Sequence, residues 1–256
     1  MGAIIYNSVP IWFIAILVGG LLFAVTEVAW WTERRRKGTS HDTPYDIALN
    51  PAFTMVALLL GFVFSMALQR YDARVAAVLH EANAIRETAI FCDVLEPPQA
   101  VALREKLKGY AEARVAFAAA DADPAARLAA ATRSFELQHE MVTLAMGASR
   151  QNPGSGTIPM LLTALNEMIT ASAEEASALS EFIPPAVIVM LVLTALIASA
   201  MMGVRLAAKA QRSVLAAIML AGMLALILGT VIDLDQPQRG FIRVSLEPLR
   251  VVQRGL

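Results

Sequence analysis

One cysteine and three histidines in 256 residues leave little material for a thiol or metal centre. Cys92 has no second cysteine to pair with, so an intrachain disulfide and a CxxC redox pair are both excluded. Charge is scarce as well: charged residues make up 17% of the chain and the net charge is −1. No global basic surface therefore argues for nucleic acid as a partner. The familiar carriers of enzyme chemistry are missing too. There is no serine–histidine–aspartate order and no dinucleotide fingerprint, and "PGSG" (153–156) lacks the lysine and spacing of a phosphate loop. The chain is read as a non-enzyme without a cofactor.

What the chain has instead is apolar length. Apolar residues make up 57% of it and the mean hydropathy is +0.57, against about 45–50% apolar in a typical soluble domain. A bilayer-spanning helix needs roughly 20 apolar residues. Four runs reach that length: residues 9–31, 51–69, 183–204 and 213–232. "MGAIIYNSVP" lacks the basic stretch of a secretory signal, so the first run is read as retained. The reading is an all-α membrane protein. A first transmembrane hairpin takes up 1–69, a solvated antiparallel helical bundle 70–182, a second hairpin 183–232, and a polar tail 233–256.

The segment from Gln69 to Phe182 carries 15 acidic and 10 basic residues, and its breaks are punctual. "EPPQ" (96–99), "DADP" (121–124) and "NPGSGT" (152–157) divide it into four helical stretches, with Asp123 and Pro124 forming an N-cap and N1 pair. Apolar or small residues recur at Val75, Val78, Ala82, Ile85, Ala89 and Cys92. A second stripe runs through Leu161, Leu165, Met168, Ser172, Ala176 and Leu179. Both spacings predict helix seams. No proline or glycine separates Leu68 from Val75 or Leu179 from Phe182. Span two is therefore expected to leave the membrane as one rod, and the last solvated helix to run straight into span three. The tail, with Arg239, Arg243, Arg250 and Arg254, is expected to fold on the bundle or on another subunit. "FIRVS" (241–245) is its one β-like stretch.

Arg34, Arg35, Arg36 and Lys37 follow span one, and Arg205, Lys209 and Arg212 follow span three. Basic short loops face the cytoplasm. That rule places both termini and the helical bundle on the outer face of a bacterial inner (cytoplasmic) membrane. Arg70 and Arg74 beside span two, and the tail arginines, weigh the other way.

Within span two, Ala57, Gly61 and Ser65 form a small-residue packing face. Arg70, Arg74 and Glu81 follow, either as a charged collar at a pore mouth or as juxtamembrane anchors. Glu27, inside span one, is a functional candidate by position, but it lies close enough to Trp31 to snorkel to the interface. Glu136 and His139 stand at the i, i+3 spacing of di-iron bundles. His80 with Glu81 does not repeat that spacing, so no metal site is expected. His41 lies in a polar loop.

"LLGFVFSMALQRYDAR" resembles the second membrane helix of bestrophins. Together with "HEANAIRE" and "DLDQPQRGFIRVSLEPLR" it is similar to a bacterial bestrophin-like membrane family. The resemblance implies a homo-oligomer, a pentamer, that passes ions, with span two lining the pore and Thr54, Leu58 and Phe62 at an apolar neck. Thr54 departs from the bulky apolar residue usual there. The acidic calcium clasp of animal bestrophins has no counterpart in this chain. The family keeps its solvated domain in the cytoplasm, against the loop charges here. The other functional reading is a non-conducting membrane scaffold or sensor whose helical domain binds a ligand or partner.

Overall fold

The computed structural model describes residues 11–36, 45–120, 123–208, 212–236 and 241–256. The start of span one, His41, Lys37, Lys209 and Arg239 lie outside the described residues. The fold is all-α: α1 Ile11–Arg36, α2 Tyr45–Phe91, a 3-10 turn Cys92–Val94, α3 Pro97–Ala119, α4 Pro124–Gln151, α5 Ile158–Ser180, α6 Pro185–Ala208, α7 Val214–Asp235 and α8 Glu247–Gly255. Four helical stretches are long and apolar enough to cross a membrane. No strand occurs among the described residues, and 241–245 is irregular.

The helix α2 is 47 residues long and begins six residues ahead of Pro51. The buried positions of α2 and of the turn that follows it include Leu49, Val56, Leu60, Val63, Ala67, Arg74, Val78, Glu81, Ile85, Thr88 and Cys92. Neighbours in this series stand three, four or seven residues apart, the spacing of a coiled-coil seam. The seam passes through Arg74, not Val75, which is 40% exposed. The same substitution of roles occurs on α5, where the buried stripe takes Glu175 and leaves Ala176 exposed.

By its contacts the chain divides into two compact units. One comprises 1–70, 182–236 and 240–242; the other comprises 71–181, 237–239 and 243–256. In the first, α1 packs on α6 and α7 through small residues. A Cβ on Gly203 would meet the Thr26 carbonyl oxygen at 2.2 Å, and one on Gly229 would meet Ala15 Cβ at 3.2 Å. Without a hydrophobic driving force between helices in lipid, such close backbone approach supplies the packing. Asp233, 5% exposed, accepts from the backbone N–H groups of Phe241 (3.0 Å) and Ile242 (2.9 Å), tying the returning chain to the end of α7. Asp235 accepts from the Ile183 N–H at 2.9 Å.

The second unit has its core between the C-terminal half of α2 and α3, α4 and α5, with Leu103, Leu107, Met141, Leu161 and Met168 fully buried. The helix breaks fall at "EPPQ", "DADP" and "NPGSGT". Asp123 caps α4, its Oδ1 accepting from Ala125 N (2.9 Å) and Ala126 N (3.2 Å). The tail helix α8 lays Leu249 and Val252 into this core. One expectation is corrected here: α5 does not run on into α6. It stops at Ser180, Glu181 is extended (φ −84, ψ 122), and helix resumes at Pro185. The Pro184–Pro185 pair causes the break, since a residue before proline is driven out of the α region.

Candidate functional site

Three groups of residues bear on function. The first is the exposed face of α2 inside span two. Leu58 is 58% and Phe62 64% exposed, and Thr54, Ala57, Gly61 and Ser65 are exposed as well. At 3.6 residues per turn, these positions lie opposite the Val56–Leu60–Val63–Ala67 seam. A Cβ on Gly61 would meet nothing within 4 Å. The neck candidates and the small-residue face are thus brought onto one open side of one helix. The Thr54 hydroxyl donates to the Asn50 carbonyl at 2.9 Å, which folds its polarity back onto its own helix.

The pore-mouth candidates are not brought together. Arg74, 1% exposed, donates to the carbonyls of Ala178 (3.2 Å) and Glu181 (2.7 Å). These belong to the last turn of α5 and its C-cap, whose carbonyls lack helical partners and carry the negative end of the dipole. Glu81 is completely buried. Both side chains face the interior of their own unit. Arg70 is half-buried and belongs to the other unit.

The second group is a polar layer crossing the helical unit, and sequence reasoning missed most of it. Arg114 of α3 is 4% exposed. Its Nε donates to Glu81 Oε1 at 2.5 Å, its Nη2 donates to Glu81 Oε2 at 3.2 Å, and Nη2 also donates to Glu175 Oε2. The Tyr110 hydroxyl donates to Glu81 Oε1 at 3.0 Å. Gln138 of α4 donates to the Ser172 hydroxyl of α5 at 3.0 Å. One guanidinium thus faces two buried carboxylates. Burial, with the neighbouring Glu81 charge, pushes the Glu175 carboxyl up to about 8, so at neutral pH it holds its proton and the layer is neutral. Burial and Glu81 likewise raise the Tyr110 phenol, which stays protonated. Glu175 Oε1 is buried with no hydrogen-bond partner. The signal for this layer was present as Arg114 and Glu175 at seam spacing.

The third group closes one end of the first unit. Arg212 donates to Glu27 at 3.2 Å, and Arg34 and Arg212 lie 5.2 Å and 5.1 Å from the Trp30 ring. Glu27 is therefore held by Arg212, and Arg34 and Arg212 share the Trp30 ring at this end. His80 sits elsewhere, on the outside of the helical unit, bridging Glu174 (3.1 Å) and Glu167 (3.0 Å). Glu136 pairs with Arg133 on the surface of α4 at 3.3 Å. Among the described residues no group of three or more His, Cys, Asp or Glu is disposed to hold a metal.

No curated protein matches the chain. Two solved structures share its fold: crystal structures of membrane-protein variants in which a proline and a leucine, respectively, are replaced by alanine. The first aligns with a TM-score of 0.68 at 14% identity, covering 95% of this chain and 96% of its own. The second aligns with a TM-score of 0.64 at 14% identity, covering 93% and 96%. The Bestrophin-like domain matches residues 15–249. Almost the whole chain falls inside that match, with most of α1, the other three apolar stretches and the helices between them: this is a multi-pass membrane protein of the Bestrophin-like family.

Proposed function

We propose that the chain works as a channel-type assembly of identical copies, with span two lining an ion pore and Thr54, Leu58 and Phe62 forming its neck. The observation that carries this is the open face of α2. Ala57, Gly61, Ser65 and Thr54 interrupt its large apolar residues, and none of the described residues covers it. A purely lipid-facing surface has no use for a run of small side chains, whereas a helix that approaches copies of itself does. Leu58 and Phe62 then form an apolar constriction of the kind that gates by dewetting. Arg70 is the pore-mouth charge in this reading, since Arg74 and Glu81 are engaged inside the helical unit. Functionally the chain divides at about residues 69, 182 and 232 into hairpin, bundle, hairpin and tail. The basic end bearing Arg34 and Arg212 faces the cytoplasm of an inner membrane and the bundle faces outward.

The test is conductance in reconstituted bilayers alongside particle imaging in detergent. Phe62→Ala is expected to raise the current in an assembly of unchanged symmetry. An unchanged current with the assembly intact overturns the neck assignment. Purification as a monomer that conducts under no ionic condition favours the scaffold or sensor reading.

A further inference from the structure

At the C-terminal turn of α1, three arginines gather on two tryptophans. Arg35 Cζ lies 3.3 Å from the centroid of the Trp31 ring, and Arg34 and Arg212 lie 5.2 Å and 5.1 Å from the Trp30 ring. A cation over a ring face is held by the ring quadrupole. At 3.3 Å the Arg35 guanidinium meets the ring through its own face, which leaves its fork of N–H groups for an acceptor. Arg34 and Arg35 are both exposed, and neither forms an ion pair among the described residues.

The acidic side chains at this end do not cancel the cluster. Glu27 accepts from Arg212 Nη2 at 3.2 Å and so takes up part of one guanidinium, which carries five N–H donors. Glu33 is half-buried and has an interaction of its own. Arg205, in the last turn of α6, adds a further positive charge two residues after Gly203, the contact point with Thr26 and Ala29.

The same helix carries an apolar path up to the arginines. Leu17, Leu21, Ala24, Val28, Trp31 and Arg35 follow one another at alternating spacings of four and three, so they line one face, and all six are exposed. Gly20 lies on that side, and a Cβ there would meet nothing within 4 Å, so the path has a trough between Leu17 and Ala24. From Leu17 to Val28 the path is about 16 Å long at 1.5 Å per residue. One leaflet is half of a hydrocarbon core about 30 Å thick. The tryptophans mark the level of the headgroups, and the guanidinium groups stand there.

We propose that this end of the first unit holds an anionic phospholipid, its phosphate taken by the N–H forks of Arg34 and Arg35 and an acyl chain lying along Leu17, Gly20, Ala24 and Val28. Arg212 on the Trp30 ring adds to the positive field around the headgroup. Guanidinium forks match phosphate oxygens two at a time. A zwitterionic lipid offers the same phosphate, but its ammonium group is repelled by the arginines, so the site selects for net negative charge. The site lies on α1 and is independent of whether span two lines a pore.

The experiment is quenching of tryptophan fluorescence by phospholipids brominated in the acyl chains, with the full-length protein in phosphatidylcholine vesicles. Trp12→Phe leaves Trp30 and Trp31 as the only reporters. Brominated phosphatidylglycerol is expected to bind at least about fivefold better than brominated phosphatidylcholine. Arg34→Gln/Arg35→Gln is expected to bring that preference below about twofold. Arg34→Lys/Arg35→Lys keeps the charge that sets insertion but loses the forks, and is expected to lose at least about half of the preference. It decides the matter if the glutamine variant does not insert. An excess of soluble glycerol phosphate is expected to leave the preference in place, because the acyl chain contributes to binding. Equal quenching by the two lipids, or an unchanged glutamine variant, overturns the proposal. So does an unchanged lysine variant, which would reduce the site to plain surface charge. Loss of the preference to glycerol phosphate also overturns it, and makes this a site for free phosphate.

Discussion

Arg114 Nε lies 2.5 Å from Glu81 Oε1, with side-chain exposures of 5% and 0%, so the ion pair is removed from water on both sides. The pair joins α3 to the C-terminal half of α2, and through the Arg114 Nη2–Glu175 bond it reaches α5 as well. Removing one member of a buried pair strands the other charge, which costs about 3–5 kcal/mol. Arg114→Met is therefore expected to lower the stability of the helical unit by that amount, read as a loss of thermal and denaturant resistance in detergent. A variant as stable as the parent would show that the layer contributes specificity without stability.

The same layer sets a pH dependence. Glu175 is raised from 4.5 to about 8 by burial and by Glu81, so the folded chain holds a proton there that the unfolded chain releases. Stability from this group is complete below about pH 4.5 and declines as pH rises through about 8, by up to about 1.4 kcal/mol per pH unit. Glu175→Gln mimics the protonated form and removes the decline. Its stability relative to wild type is expected to grow between those limits and to level off above them. A constant difference across the range would show that Glu175 stays ionised.

The legible part of the fold was the part written in apolar length and in breakers. The four spans, the proline and glycine breaks and the Asp123 cap all follow from local chemistry. What was illegible has one physical cause, visible in two places. Each seam was traced by stepping around a charged residue, from Arg74 to Val75 and from Glu175 to Ala176. The buried positions are the charged ones. A lone charge is costly to bury, so apolar pattern alone steers away from it. Only the partners make it tolerable: the α5 carbonyls for Arg74, and Arg114 for Glu175. Those partners lie about a hundred and about sixty residues away in sequence. The α5–α6 break was hidden differently. Pro184 and Pro185 lie within the run 183–204 read as a span, but their effect on the residues before them ends the preceding helix.

Arg74 allows a direct check of that account. It supplies donors to carbonyls at the end of α5 that have no helical partner. Arg74→Leu keeps bulk in the seam but leaves those carbonyls buried and unsatisfied, at a cost of about 1–3 kcal/mol. Hydrogen exchange is expected to rise over the last turn of α5 while the Leu103–Met141 core stays protected. Uniform loss of protection across the unit would instead make Arg74 part of the global core.

Two glycines set contacts made inside one copy against the contacts proposed between copies. A Cβ on Gly203 would stand 2.2 Å from the Thr26 carbonyl oxygen and 2.9 Å from Ala29 Cβ, so α1 and α6 must move apart to admit it. Gly203→Ala is expected to cost about 1–3 kcal/mol and to lower thermal stability at any protein concentration, because the clash is internal. A Cβ on Gly61 meets nothing within 4 Å, and the residue lies on the open face of span two. Gly61→Leu is therefore expected to leave the fold of the single copy intact while breaking up the assembly, seen as a shift to smaller particles in size-exclusion light scattering. If Gly61→Leu assembles as wild type does, the small-residue face of span two faces lipid, and the pore-lining proposal loses its support.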